Sequence, residues 1–255
     1  MDADEERERW NDHGFFVLRG FRPRETGEAM LERVIAIGRQ ADGHIFADGR
    51  IVTPEQNLAD GVSEDSPAEA RISKVFKLHR DPVFRSFIES DDVLEIGRRI
   101  LAPELDCFLS QFIFKNPGAW GQPWHQDGYY FPFDRAPQMG LWLAVTEATE
   151  ANGCLWVLPG SHRDPIHEHV PDRRPNANVG YVEIVDRDTS DEIPVHMEPG
   201  DLLVFHSRLM HRSKDNLSEG LRAAMVYHLA ERGTRDTSGS PTPVNDWMAL
   251  PAPRG

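Results

Sequence analysis

The chain is poor in cysteine, in net basic charge and in long apolar runs, and each shortage narrows what it can be. Among its 255 residues only Cys107 and Cys154 carry thiols. Both lie in apolar runs (DCFLS and GCLWVL), where a thiol behaves as a small buried hydrophobe. Two such residues make no disulfide framework, so a reducing compartment is expected. Lys and Arg number 28 against 42 Asp and Glu, a formal net charge of -14. Nucleic-acid binders usually present a basic face, so no nucleic-acid partner is expected, and the charge mainly favours solubility. No apolar stretch approaches the roughly 18 residues of a membrane span, so no membrane partner is expected either. The opening MDADEERERW is acidic and lacks the basic-then-apolar plan of a secretion signal. The expected location is cytoplasmic, and oligomeric state is left open.

What is present is ordinary globular material, 39% hydrophobic and 27% charged, long enough to bury a substantial core without metal or disulfide. One domain spanning 1–255 is expected, with residues 1–104 mainly helical, 105–231 a β core and 232–255 a polar tail. The cluster Gly14 to Leu18 reads as a first strand. Residues 24–40 place Met30, Leu31, Val34, Ile35 and Ile37 at near-helical spacing, which predicts an amphipathic helix. The Gly-, Asp-, Pro- and Ser-rich 41–68 stretch predicts a flexible loop, and two helices are expected near 81–89 and 91–101. From Leu105 the texture changes to short apolar runs between Pro and Gly signals. That texture predicts an antiparallel barrel or double-sheet jelly roll, mainly β with flanking helices.

Within that β region, His125-Gln126-Asp127 follows a strand-like segment. In extended backbone, residues two apart project to one face, so an imidazole and a carboxylate converge. His211, just after the run Asp201 to His206, is the candidate third ligand. Two His and one carboxylate on one face leave the opposite positions open, as Fe(II) oxygenases require. Arg222 opens the otherwise apolar run LRAAMVYHLA. A buried guanidinium needs a partner, and its rigid fork suits a carboxylate; a structural ion pair with an Asp or Glu is the alternative. Ser213, two residues from His211, shares its face and can donate to the same carboxylate.

The runs PWHQDGYYFPFDRAPQMGLWLAVTEATEANGCLWVLPGSHR and GDLLVFHSRLMHRSKDNLSEGLR resemble the phytanoyl-CoA dioxygenase family, particularly the phytanoyl-CoA dioxygenase domain-containing proteins. ISKVFKLHRDPVFRS, FIFKNPG and GFFVLRGF extend the resemblance over most of the chain. It implies a cupin-like double-stranded β-helix and an Fe(II)- and 2-oxoglutarate-dependent dioxygenase. Such an enzyme consumes O2, releases succinate and CO2, and hydroxylates a small-molecule substrate. By motif, His125, Asp127 and His211 match the iron ligands. Arg222 and Ser213 match the residues holding the far carboxylate of 2-oxoglutarate, and Trp142, Lys74 and Gln111 match positions around that co-substrate. Relatives that halogenate replace the carboxylate ligand with a small residue, and Asp127 is retained here. A metal- and 2-oxoglutarate-binding sensor without turnover, or a metal-binding jelly roll doing other chemistry, stays open as an alternative.

Other chemistry-bearing side chains read more plainly. Tyr129, Tyr130, Phe131 and Phe133 follow the HxD run as barrel core or rim, with Tyr129 and Tyr130 as candidate walls of the substrate side. His167 and His169 have the spacing of a metal pair, but their Pro- and Asp-rich surroundings predict a solvated loop with no strand on either side. His206 reads as packing and His162 as a turn stabiliser. His228 shares strand parity with Arg222, which leaves a cavity-facing position open, though a satisfied core histidine is the expected reading. His13, His44, His79 and His196 carry no supporting pattern. Nothing in the sequence identifies the substrate.

Overall fold

Alternation between two different cores organises the molecule. Residues 1–41, 48–58, 60–240 and 242–253 are described by the computed structural model. Its elements run α1 (Ala3–His13), β1 (Phe15–Leu18), α2 (Arg24–Arg39), β2 (Ile51–Pro54), β3 (Ile72–Phe76), α3 (Pro82–Ile88) and α4 (Asp91–Ile100). They continue as β4 (Leu105–Lys115), β5 (Met139–Ala144), β6 (Leu155–Val157), β7 (Val170–Pro171), β8 (Val182–Glu183) and β9 (Ile193–Val195). The last are β10 (Leu202–His206), β11 (His211–Ser213), β12 (Arg222–Glu231) and β13 (Met248–Ala249).

The major sheet has the order β1-β10-β5-β12-β4-β3-β2, with β13 added beside β4, and a minor sheet has the order β11-β6-β9. All of these pairings are antiparallel. On β12, successive side chains point to opposite faces. Ala223, Met225, Tyr227 and Leu229 join a cluster with Met30 and Val34 of α2, Phe84 of α3 and Leu94 of α4. Ala224 and Val226 instead join Trp142 of β5 and Trp156 and Val157 of β6, between the two sheets. A strand apolar on both faces is thus buried twice, once under helices and once inside the roll. This is the expected jelly roll with flanking helices.

The helices follow their sequence signals. Asp2 caps α1 by accepting from Asp4 N and Glu5 N at 3.1 and 2.9 Å, and Gly14, with φ 81°, ends it. A left-handed residue there is inexpensive only for glycine. Helix α2 falls where periodicity places it, and α3 and α4 fall within the expected 81–89 and 91–101.

Three expectations need correction. The N-terminal part is mainly helical and holds the expected first strand β1, but it also supplies β2 and β3, which were not expected and which join the major sheet. The 41–68 stretch is not all loop: Ile51–Pro54 pairs with β3, while residues 42–47, including His44, and residue 59 lie outside the described residues. The tail is not merely polar. Met248 pairs with Cys107 of β4, and Met248 and Leu250 are buried in the core, so apolar burial overrides the Pro-rich composition around them. Among the described residues, no helix is long and apolar enough to cross a membrane.

Candidate metal and co-substrate site

His125 and His211 meet because their backbones pair. Each accepts the other's N–H at 3.0 Å in an isolated bridge, which brings the ring centroids to 4.2 Å. Gln126 is extended (φ -119°, ψ 127°) and Asp127 opens a short 3-10 turn, so the carboxylate projects with the His125 ring. Asp127 Oδ1 lies 3.4 Å from His125 Nε2 and 3.6 Å from His211 Nε2. The candidate ligand atoms of all three lie within 4.8 Å of one another. Three of the sequence-predicted residues therefore converge.

The protonation pattern suits a metal. His125 Nδ1 lies 2.8 Å from Pro123 O and His211 Nδ1 3.0 Å from Leu209 O. A carbonyl only accepts, so each Nδ1 carries the proton and each Nε2 presents a lone pair to the shared point. This is the usual outer support of a ligating imidazole. Burial, reinforced by His125, pushes His211 down to about 4, which keeps its ring neutral. Burial alone would raise Asp127, but His211, His125 and His228 outweigh it and hold the carboxyl well below its ordinary value. Two imidazoles with their Nδ1 atoms held by carbonyls, together with one carboxylate, fit Fe(II) with open positions.

Gln126 points away from the metal and locks the ligand run. Its Nε2 donates to Pro165 O and Arg208 O at 3.2 and 2.8 Å, its Oε1 accepts from His167 N at 2.9 Å, and its backbone N–H donates to His169 Nε2 at 3.1 Å. His169 is buried and leads into β7, which pairs with β8. The expected solvated loop is corrected: His167 and His169 are not a metal pair but brace the segment between the ligands. No tertiary hydrogen bond of this kind shows in local composition.

A cavity of about 350 Å³ opens beside the triad, lined among others by Lys74, Gln111, Trp142, Ser213 and Arg222. Arg222 is only 2% exposed, and its Nε and Nη1 have no hydrogen-bond partner among the described residues. The guanidinium carbon sits 5.7 Å from the Trp142 ring centre, and Trp142 Nε1 is likewise buried without a partner. Burial lowers Arg222 to about 10, so it stays charged at neutral pH. The structural ion pair considered for Arg222 does not form among the described residues. A buried unpaired cation is costly, and with neighbouring unused donors it describes an anion cradle.

Two neighbours of that cradle carried no expected role. Lys115, opposite Arg222 on β4, donates to Ser213 Oγ at 2.9 Å and Lys214 O at 2.6 Å. Burial, followed by Arg222, holds its ammonium well below the ordinary lysine value. Its signal was strand parity: Leu109, Gln111, Ile113 and Lys115 alternate along β4, and all four line the cavity. His228 was expected as a satisfied core residue; instead its Nε2 lies 2.8 Å from Asp127 Oδ2 and the ring lines the cavity. A Cβ at Gly140 would overlap the Phe205 ring, so that glycine lets Phe205 lie edge-on to His211 and His228, at 5.2 and 6.2 Å.

The remaining predicted residues divide. Lys74 lies with its Nζ 4.9 Å from the Tyr181 ring, and Gln111 is opposite Val226 on the floor. Tyr130 lines the cavity, and its hydroxyl donates to Gly180 O at 2.9 Å. Tyr129 is 43% exposed and stacks on His169 at 4.3 Å; it does not line the cavity. The 3-10 turn at 127–130 separates the two tyrosines. His206 packs 5.2 Å from Trp10, and His162 holds the turn at 161–163 through Asn11 O.

A jelly roll with this triad and cradle defines the class: a non-haem Fe(II), 2-oxoglutarate-dependent oxygenase. The chain belongs to the phytanoyl-CoA dioxygenase (PhyH) family, whose profile matches residues 10–224. It is 30% identical to phytanoyl-CoA dioxygenase 1 of Oryza sativa subsp. japonica, covering 98% of this chain and 95% of that protein. It is 29% identical to phytanoyl-CoA dioxygenase domain-containing protein 1 of Bos taurus, over 88% of each. In fold it matches EctD from S. alaskensis, solved with 2-oxoglutarate and 5-hydroxyectoine, with a TM-score of 0.72 at 19% identity, covering 99% and 86% of the two chains. EvdO2 from Micromonospora carbonacea var. aurantiaca, complexed with 2-oxoglutarate, matches with a TM-score of 0.67 at 20% identity, covering 97% and 98%.

Proposed function

We propose that the protein hydroxylates a small organic molecule, with His125, Asp127 and His211 holding Fe(II) and Arg222 anchoring 2-oxoglutarate. The observation that carries this reading is the buried Arg222 guanidinium, whose Nε and Nη1 have no partner among the described residues, in the cavity that the metal triad shares. When bound, Fe(II) supplies oxygen activation: substrate C–H, O2 and 2-oxoglutarate become substrate C–OH, succinate and CO2.

The chain's own groups do the positioning. Each imidazole offers one Nε2 because its Nδ1 is committed to a carbonyl. Asp127 offers Oδ1 because Oδ2 is held by His228. Arg222 and Trp142 present N–H donors to the far carboxylate of 2-oxoglutarate, and charge-assisted bonds of this kind are roughly twice as strong as neutral ones. Ser213 adds a hydroxyl, since its oxygen already accepts from Lys115 Nζ and Gln122 N at 2.9 and 3.1 Å and its own proton is free to be donated. Lys74 and Gln111 flank the co-substrate from β3 and β4, and Tyr130 closes the metal side against water. No side-chain general base is required.

The test is oxygen-dependent succinate formation from 2-oxoglutarate by the full chain with added Fe(II). His125→Ala and Asp127→Ala are each expected to abolish it. Wild-type rates in either variant would remove these residues from the metal.

A further inference from the structure

The β7–β8 hairpin crosses the mouth of the cavity, and its base is fixed. Asp172 N donates to Tyr181 O at 3.0 Å and Ile184 N to Trp124 O at 2.8 Å. Arg174 grips the Asp172 carboxylate, donates to Gly121 O at 2.6 Å and lies 5.0 Å from the Trp120 ring centre. Beyond Arg174 the tip, residues 175–181, holds a single buried residue, Asn178. Val179, Gly180 and Tyr181 all line the cavity, although Val179 is 88% exposed. The tip is therefore a wall with one side in solvent.

Polar contacts, not packing, hold the tip across the mouth. Asn178 Oδ1 accepts from Gln56 N at 3.0 Å, and its Nδ2 donates to Glu55 Oε2 at 3.3 Å. Asn57 Nδ2 donates to Asn176 O at 3.1 Å. These partners follow β2, the outermost strand of the major sheet. On the opposite flank Tyr130, in the turn that begins with Asp127, donates to Gly180 O at 2.9 Å. A segment with little apolar burial opens at far lower free-energy cost than the core. The two bonds of the Asn178 side chain are the buried part of what opposes opening.

The tip carries one functional side chain with it. The Tyr181 hydroxyl makes no hydrogen bond to the described residues. Its ring lies 4.9 Å from Lys74 Nζ, and that ammonium has no acceptor among them either. Burial lowers Arg222, and Tyr181 is the strongest of the groups that offset it, which sets the phenol near the guanidinium. Arg222 Nε and Nη1, Trp142 Nε1 and Lys74 Nζ are thus unused donors in one cavity. A phenol O–H joins them. Donors gathered in this way match a carboxylate, which only accepts.

We infer that residues 175–181 form a lid, latched by Asn178 to Glu55 and Gln56, and that closing it delivers the Tyr181 hydroxyl to the far carboxylate of 2-oxoglutarate. The inference rests on the oxygenase reading above and adds a binding residue to it. Tyr181 then couples two equilibria. Lid closure strengthens co-substrate binding, and bound co-substrate holds the lid shut by the same factor. Opening the tip frees the mouth for exchange of ligands.

The experiment uses the full chain, anaerobic and loaded with Fe(II), and follows formation of its 2-oxoglutarate complex by absorbance. If no complex forms, the oxygenase reading falls and this inference with it; a complex with an indifferent lid overturns this inference alone. Lid opening is read as the rate of elastase cleavage after Val179, located by mass. Cleavage of a transiently open segment tracks its open population. Asn178→Ala loses two hydrogen bonds and should speed cleavage at least about tenfold; Asn57→Ala loses one and should speed it about fivefold. Saturating 2-oxoglutarate should slow cleavage of the wild type by about fivefold. Tyr181→Phe keeps the ring and loses the hydroxyl. It should raise the Kd for 2-oxoglutarate about fivefold and abolish that protection, while leaving cleavage without co-substrate unchanged. Formation of the 2-oxoglutarate complex by each variant verifies its folding. Cleavage as slow in Asn178→Ala and Asn57→Ala as in the wild type, no protection by 2-oxoglutarate, or an unchanged Kd in Tyr181→Phe overturns the inference.

Discussion

Lys115 Nζ donates to Ser213 Oγ at 2.9 Å, and this bond decides what the serine can do. With Gln122 N also donating to Oγ, both acceptor positions of the hydroxyl are used and its proton is directed outward. Lys115 is thereby a positioning residue for the co-substrate cradle, acting through Ser213 rather than beside Arg222. Ser213→Ala should raise the Kd for 2-oxoglutarate by roughly fivefold, the loss of one neutral hydrogen bond worth about 1 kcal/mol. Lys115→Met should have a similar effect. Tryptophan-quenching titrations arranged as a double-mutant cycle test the coupling: the double variant should be little worse than either single one. Strict additivity would show that Lys115 acts by another route.

Arg222 trades stability for binding. Its guanidinium is buried with two nitrogens unpartnered, a cost the ligand-free protein bears. Arg222→Met should raise the melting temperature of the ligand-free chain while weakening 2-oxoglutarate by about a hundredfold, the scale of two charge-assisted bonds. Adding 2-oxoglutarate to the Fe(II)-loaded protein should stabilise the wild type further and leave the Fe(II)-loaded variant nearly unmoved. A destabilised Arg222→Met in the ligand-free state would mean that the cation has a structural partner after all.

The triad, Arg222 and Ser213 were legible because a short run and strand parity encode them. His125 and Asp127 are two residues apart, and Arg222 stands alone in an apolar strand. The jelly roll was legible from the short apolar runs after Leu105. Lys115 was missed because a lysine at a strand's end reads as a solvated terminus until β12 is seen beside it. The roles of His169 and Gln126 depend on a contact 43 residues away in sequence, which no local pattern encodes. The tail at 232–255 was read as merely polar because polar and Pro-rich composition describes most of its residues, while Asp246, clasped by Arg80, and the buried Met248 and Leu250 set where it lies.

His228 supports the metal through the carboxylate. Its bond to Asp127 Oδ2 leaves Oδ1 facing both His Nε2 atoms. Removing such an outer partner typically costs 10- to 100-fold in metal affinity, so His228→Leu should weaken Co(II) or Fe(II) binding by about that much in a competition titration. His228→Gln keeps a donor and should recover part of the loss. Equal affinities for the wild type and His228→Leu would leave the contact without a role at the metal.

Acid should destabilise the fold before most carboxylates titrate. Burial pushes His79 down to about 4, and burial with the neighbouring His162 pushes His206 down to about 3. Both folded values lie below the unfolded value near 6.5, so the unfolded chain takes up these protons first. The stability they contribute is fully present above about pH 6.5 and is lost as pH falls toward 4. Each group changes stability by about 1.4 kcal/mol per pH unit within that window. Urea midpoints of the metal-free chain should therefore hold steady between pH 8 and 7 and fall steeply between 6 and 4.5. His206→Gln should flatten the decline. An unchanged midpoint down to pH 5 would mean that these two rings are charged inside the fold.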